Sequence, residues 1–128
     1  MPEILLIDDS PVQLAIRQAV LARSGFSVTM ETSAADALDG IRKGNLKPDL
    51  IITDHLMPGM NGVEFVRGLR EFDSSMPVIV ISGLQEASEE YDGLNVRFQM
   101  KPYPAEELIA MAQAMVESST DGKEEKAS

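Results

Sequence analysis

Five side chains with reactive or ligand chemistry stand directly after short apolar runs. Glu3-Ile-Leu-Leu-Ile7 stops at Asp8 and Asp9, Leu50-Ile-Ile-Thr53 runs into Asp54, Pro77-Val-Ile-Val-Ile81 ends at Ser82, and Val96–Met100 ends at Lys101. Three carboxylates drawn together repel, and at least one pKa rises unless a cation compensates. A few hard oxygen ligands, an open water shell and a phosphate partner suit Mg²⁺. Lys101 adds a second positive charge, and Ser82 a hydroxyl. A carboxylate held beside such cations can attack a phosphoryl group, because the charge that develops on the transferring oxygens is neutralised. The product is an acyl phosphate on aspartate.

That chemistry requires the five side chains to meet, and the order of elements brings them together. Ser10-Pro11-Val12-Gln13 carries an N-cap serine, a proline at the first helical position and glutamine three residues after the cap. Apolar residues recur at helical spacing through Val12, Ala15, Ile16, Ala19 and Val20, and Gly25 suits the C-cap. Phe26–Met30 alternates as a strand with one covered face. A second helix opens at Ser33, turns Ala34, Ala37, Leu38 and Ile41 inward, and ends at Gly44. Asn61 with Glu64 forms a further helix start, followed by Phe65, Val66 and Leu69. Pro104–Val116 closes the domain, with Leu108, Ile109, Ala112, Met115 and Val116 on one face. Strands alternating with helices imply α/β architecture, a doubly wound five-stranded parallel sheet with helices on both faces. Ligands in such sheets bind beyond the carboxyl ends of the strands, which is where the five residues stand.

The chain has 128 residues, enough for one domain, which we place at 1–117, with 118–128 expected to be a disordered acidic tail. There are no cysteines, which excludes disulfides, thiolate metal sites and cysteine nucleophiles. The formal net charge of −10 comes without a basic patch, and this argues against nucleic acid as a partner of this chain. No segment is apolar over the length a bilayer requires, and the N-terminus lacks the pattern of a signal peptide, so no membrane role and a cytoplasmic location are expected.

The motifs resemble the receiver domain of two-component response regulators, with a single-domain, chemotaxis-regulator-like organisation. The resemblance rests on Ile-Asp8-Asp9-Ser, on Pro-Asp-Leu-Ile-Ile-Thr-Asp54-His-Leu-Met-Pro-Gly-Met-Asn-Gly62, on Ile-Ser82-Gly83 and on Lys101-Pro102-Tyr103, and it covers residues 3 to about 116. It implies a flavodoxin-like strand order, 2-1-3-4-5. It implies that Asp54 accepts a phosphoryl group from a sensor histidine kinase or a histidine phosphotransfer protein. Mg²⁺ would be held by Asp8, Asp9, Asp54 and the backbone carbonyl of Leu56. Ser82 and Lys101 would bind the phosphoryl oxygens, Phe98 would rotate between outward and inward states, and the bond to Pro102 would be cis. Such a domain catalyses only its own phosphorylation and dephosphorylation, and signals by binding a downstream protein.

Three features stand apart from that pattern or beside it. Only 18 residues separate Ser82 from Lys101, fewer than in most receivers, so the fourth helix is expected to be short, displaced or partly disordered. His55, the sole histidine, is expected to face solvent from the loop after Asp54. Met57 and Met60 are expected to shape that loop. Other functions share parts of the signal. A phosphorelay shuttle, or a receiver domain cut from a larger regulator, would use the same residues. An aspartate-nucleophile phosphatase of the haloacid-dehalogenase type would carry its nucleophile in an Asp-x-Asp motif after the first strand, and a flavodoxin-like carrier would need a Ser/Thr/Gly-rich phosphate loop there; neither stands in this sequence.

Overall fold

The computed structural model describes residues 1–127, with side chains through residue 118. Ten elements alternate along the chain: β1 (Glu3–Ile7), α1 (Pro11–Arg23), β2 (Ser27–Glu31), α2 (Ala34–Arg42), β3 (Leu50–Asp54), α3 (Gly62–Arg70), β4 (Val78–Ser82), a 3₁₀ segment (Gln85–Tyr91), β5 (Arg97–Met100) and α4 (Ala105–Ala127). The strands form one parallel sheet in the order β2-β1-β3-β4-β5. This is the doubly wound arrangement expected from the alternation and the family resemblance. The proposed tail at 118–128 lies almost wholly outside the residues whose side chains are described.

Strand alternation divides the core into two layers. Leu50 and Ile52 of β3 join Ile4, Leu6, Ile79 and Ile81 against α1 and α4, where Leu14, Leu21, Leu108 and Ala112 close the layer. Ile51 joins Leu5, Ile7, Val78 and Val80 against α2 and α3, with Ala37, Leu38, Phe65 and Leu69. Because both faces are covered, β3 and β4 are buried along their whole length, which explains why their sequences run apolar without alternating.

The helix starts follow their side chains. Ser10 Oγ accepts from Gln13 N at 3.3 Å, Ser33 Oγ accepts from Asp36 N at 3.2 Å, and Asn61 and Glu64 form a reciprocal capping box. One stripe differs from expectation. The buried face of α1 is Leu14, Arg17 and Leu21, while Val12 and Ile16 are exposed and Ala15 and Ala19 face solvent with them. A helix turns one face to the sheet, and Leu14, Arg17 and Leu21 share it at i, i+3 and i+7, while Val12, Ile16 and Ala19 lie on the opposite side. Arg17 comes inward with the two leucines.

The shortened span after Ser82 holds one 3₁₀ segment of seven residues in place of a full α-helix. Its inner face is Ala87 and Tyr91, both buried. Arg70, at the end of α3, secures what surrounds it. Its guanidinium donates to the carbonyls of Leu94 (2.8 Å), Asn95 (3.0 Å), Asp73 (3.0 Å) and Met76 (2.8 Å). One side chain thus ties α3 to the lead into β4 and to the turn before β5.

Candidate functional site

The carboxyl ends of β1, β3, β4 and β5 stand side by side, and the ladder fixes their register. Asp54 pairs with Ile81, and Ser82 pairs with Met100. Beyond the ladder His55 N donates to Ile81 O at 2.9 Å and Lys101 N donates to Ser82 O at 2.8 Å. Period two continues past the strands. Asp8 and Asp54 follow Leu6 and Ile52 toward the α1 layer, whereas His55 follows Ile51 and Thr53 toward the α3 layer.

Asp8, Asp9 and Asp54 each offer one carboxylate oxygen, all within 4.8 Å of one another. Asp8 is buried and engaged at both oxygens: Oδ1 accepts from Ser10 N at 3.0 Å and Oδ2 from Arg17 Nη1 at 2.7 Å. Asp9 is exposed. Asp54 is buried, and Lys101 Nζ lies 2.8 Å from its Oδ1. The Lys101 ammonium is thus at hydrogen-bond distance and is the charged partner of this buried oxygen. Burial raises the Asp54 carboxyl above its ordinary range and Asp8 adds to the rise, while Lys101 and Arg17 oppose it.

These residues fit a hard divalent cation. The buried Asp54 carboxylate faces two further carboxylates, one of them open to water. The formal count is three negative charges against Arg17 and Lys101, which leaves −1. A divalent cation would reverse that sign and make the pocket receptive to phosphoryl oxygens. Ser82 is buried, and its Oγ is tied to the next turn, accepting from Leu84 N at 2.9 Å and lying 3.4 Å from Leu84 O. The Lys101–Pro102 peptide bond is cis.

His55 does not face solvent. It is 4% exposed, with Nδ1 2.7 Å from the Tyr91 hydroxyl and Nε2 3.4 Å from Glu90. Tyr91 is held well above the ordinary tyrosine range, by burial first and then by Glu90 and Asp54, so its hydroxyl keeps its proton and shares a hydrogen bond with Nδ1. Tyr91 in turn packs on Phe98, ring centroids 5.9 Å apart, and Phe98 is partly buried there. Gly62 is the residue that permits this cluster. A Cβ at that position would collide with the Tyr91 hydroxyl and come within 2.9 Å of the Asp54 carbonyl. Met57 and Met60 pack against the same layer.

Arg17 and Tyr91 belong to the site although no sequence motif marks them. Arg17 shares the spacing i, i+3, i+7 with Leu14 and Leu21, a stripe hidden by a more numerous run of small apolar residues beside it. The inward turn of His55 follows from the alternation of β3 carried one residue past Asp54.

The family model described as the response regulator receiver domain matches residues 4–113. The chain belongs to that family. Its curated relatives include the DNA-binding response regulator MtrA of Mycolicibacterium smegmatis, 31% identical over 92% of this chain and 52% of the relative. The response regulator MprA of Mycobacterium sp. (strain KMS) is 32% identical over 91% of this chain and 51% of the relative. The receiver chain thus spans about half the length of the curated relatives it matches. Among solved structures, a CheY-like receiver domain protein from Methanospirillum hungatei superposes with a TM-score of 0.87 at 22% identity, covering 95% of this chain and 98% of that one. The response regulator TrrA from Thermotoga maritima, in complex with Mg²⁺-BeF, superposes with a TM-score of 0.81 at 20% identity, covering 90% of this chain and 99% of that one. Among the described residues, no helix of this receiver is long and apolar enough to cross a membrane.

Proposed function

We propose that this receiver domain takes a phosphoryl group onto Asp54 from a phosphohistidine, on a sensor histidine kinase or a histidine phosphotransfer protein, and signals by binding another protein. The observation that carries the reading is the buried Asp54 carboxylate set between two further aspartates and Lys101. Mg²⁺ would be held by Asp8, Asp9, Asp54 and the Leu56 carbonyl. When bound, it would draw charge from the phosphoryl oxygens and relieve the repulsion among the carboxylates.

The chain's own residues do the rest. An Asp54 oxygen bonds to phosphorus while the P–N bond breaks and its electron pair returns to the imidazole. Lys101 is already beside Asp54 and pairs with the incoming oxygens. Ser82 turns its hydroxyl from Leu84 to the phosphoryl group, which strips Leu84 N of its acceptor and disturbs the 3₁₀ segment that begins one residue later. Tyr91, at the far end of that segment, packs on Phe98, so rotation of Phe98 would follow. A phosphohistidine must come within bonding distance of Asp54, so its carrier covers the neighbouring surface. The exposed Val12 and Ile16 on α1 give that carrier an apolar face to bury.

MtrA is named a DNA-binding regulator, and the match to this chain covers 52% of it. The acidic charge and lack of a basic patch support a protein target for the chain itself. The test is transfer from a histidine-phosphorylated phosphotransfer protein. Label should move to the wild-type chain within minutes in Mg²⁺ and not in chelator, and Asp54→Asn should receive none. Label retained on the histidine protein with wild type would contradict the reading.

A further inference from the structure

Arg17 occupies a position that the fold treats as core. It lies between Leu14 and Leu21 on the buried face of α1 and is 5% exposed. A guanidinium cannot shed its charge at any ordinary pH, so its burial requires partners. It has two. Nη1 reaches Asp8 Oδ2 at 2.7 Å, and Nε donates to the Tyr103 hydroxyl at 3.2 Å. With Ser10 N on the other oxygen, Asp8 has both carboxylate oxygens engaged before any metal arrives. Each oxygen keeps a lone pair, so a cation can join Asp8 there, but it shares that carboxylate's charge with Arg17 and must approach a fixed positive charge to do so.

Arg17 also has somewhere to go. A groove of about 330 Å³ opens between α1 and the start of α4, bordered by Gln13, Ile16, Val20, Tyr103 and Leu108 beside Arg17 itself, and reaching Lys101. A guanidinium leaving Asp8 has this groove beside it instead of being stranded in the core.

We propose that Arg17 is a built-in counter-ion that competes with the divalent cation for Asp8, so that it sets the affinity of the metal site and relays metal loading to Tyr103. This rests on the assignment of the metal to Asp8, Asp9 and Asp54. The metal-free pocket stays near charge balance through Arg17, and loading is felt at the turn that follows Lys101 and Pro102, because the Arg17–Tyr103 contact joins α1 to that turn.

The experiment is a Mg²⁺ titration of phosphate-free protein, followed by amide NMR at Asp9. Arg17→Met keeps the volume and removes the charge, and should bind about tenfold more tightly than wild type. Arg17→Lys keeps a charge and should stay within about twofold of wild type. Equal or weaker binding by Arg17→Met, or equal tightening by Arg17→Lys, would overturn the proposal while leaving the metal site standing. If neither wild type nor Arg17→Met binds Mg²⁺, the metal assignment itself fails and the proposal with it. Wild type supplies a readout that needs no variant. The Arg17 Nε–H and Tyr103 ring signals should shift along the same binding curve as Asp9, and signals unmoved at saturation would equally overturn the competition.

Discussion

Asp54 is placed where burial works against its own ionisation, and its neighbours set how strongly. Burial comes first and Asp8 adds to it; Lys101 and Arg17 pull the other way without cancelling the rise. A carboxyl with a raised folded pKa favours the folded state at low pH. That contribution is fully present below the unfolded value, near the ordinary 3.8, and is lost as pH rises through the higher folded value. Asp54→Asn should therefore raise the thermal midpoint of the metal-free protein by a few degrees at neutral pH. The gain should vanish as pH falls below the ordinary carboxylate value. A variant less stable than wild type at neutral pH would mean that the Lys101 contact outweighs desolvation. Arg17 is the residue that sequence reasoning undervalues most. A charged residue in an apolar stripe is ordinarily taken for the stripe's edge, and only the pairing with Asp8 shows why it turns inward.

At the scale of elements, the segment between Ser82 and Lys101 departs furthest from regular structure, and Tyr91 anchors it. The 3₁₀ segment buries just Ala87 and Tyr91, so few apolar contacts hold it, and the hydrogen bond between Tyr91 and His55 matters correspondingly more. Tyr91→Phe keeps the ring against Phe98 but leaves the buried His55 Nδ1 without its hydrogen-bond partner. The expected cost is about 1–2 kcal/mol in denaturant unfolding, with faster amide exchange across residues 85–91. Unchanged stability and exchange would show that Glu90 and packing alone hold the segment. The shortness of this region is visible as a count of residues between Ser82 and Lys101. Its 3₁₀ form is not, because Ala87 and Tyr91 are the only apolar residues of Gln85–Tyr91 and their i, i+4 spacing would suit an α-helix equally, and the inward tyrosine meets a histidine on another element. The strands and capped helices are legible for the opposite reason. Buried parallel strands need unbroken apolar runs, and Ser10, Ser33 and Asn61 each satisfy an N–H at the first turn of a helix.

For the whole molecule, the parallel order of the sheet converts distant positions into one pocket. Asp8, Asp54, Ser82 and Lys101 come from four strand ends, and of the five site residues only Asp8 and Asp9 are adjacent in the chain. That convergence is legible in the amino-acid order, because strand boundaries and the direction of a parallel sheet determine it. Side-chain direction is legible only in part: the alternation of β3 sends His55 to the side away from the pocket, whereas the turn of Arg17 toward the pocket is explained by its pairing with Asp8. The central claim is that this pocket makes Asp54 a phosphoryl acceptor. The most direct measurement is intact mass after incubation with acetyl phosphate, with and without Mg²⁺, on wild type and Asp54→Asn. One phosphoryl group should add to wild type in Mg²⁺ alone, with the mass returning to its starting value on standing, and none should add to the variant. A wild-type chain that stays unmodified in Mg²⁺, or an Asp54→Asn chain that gains the same mass, would contradict the account.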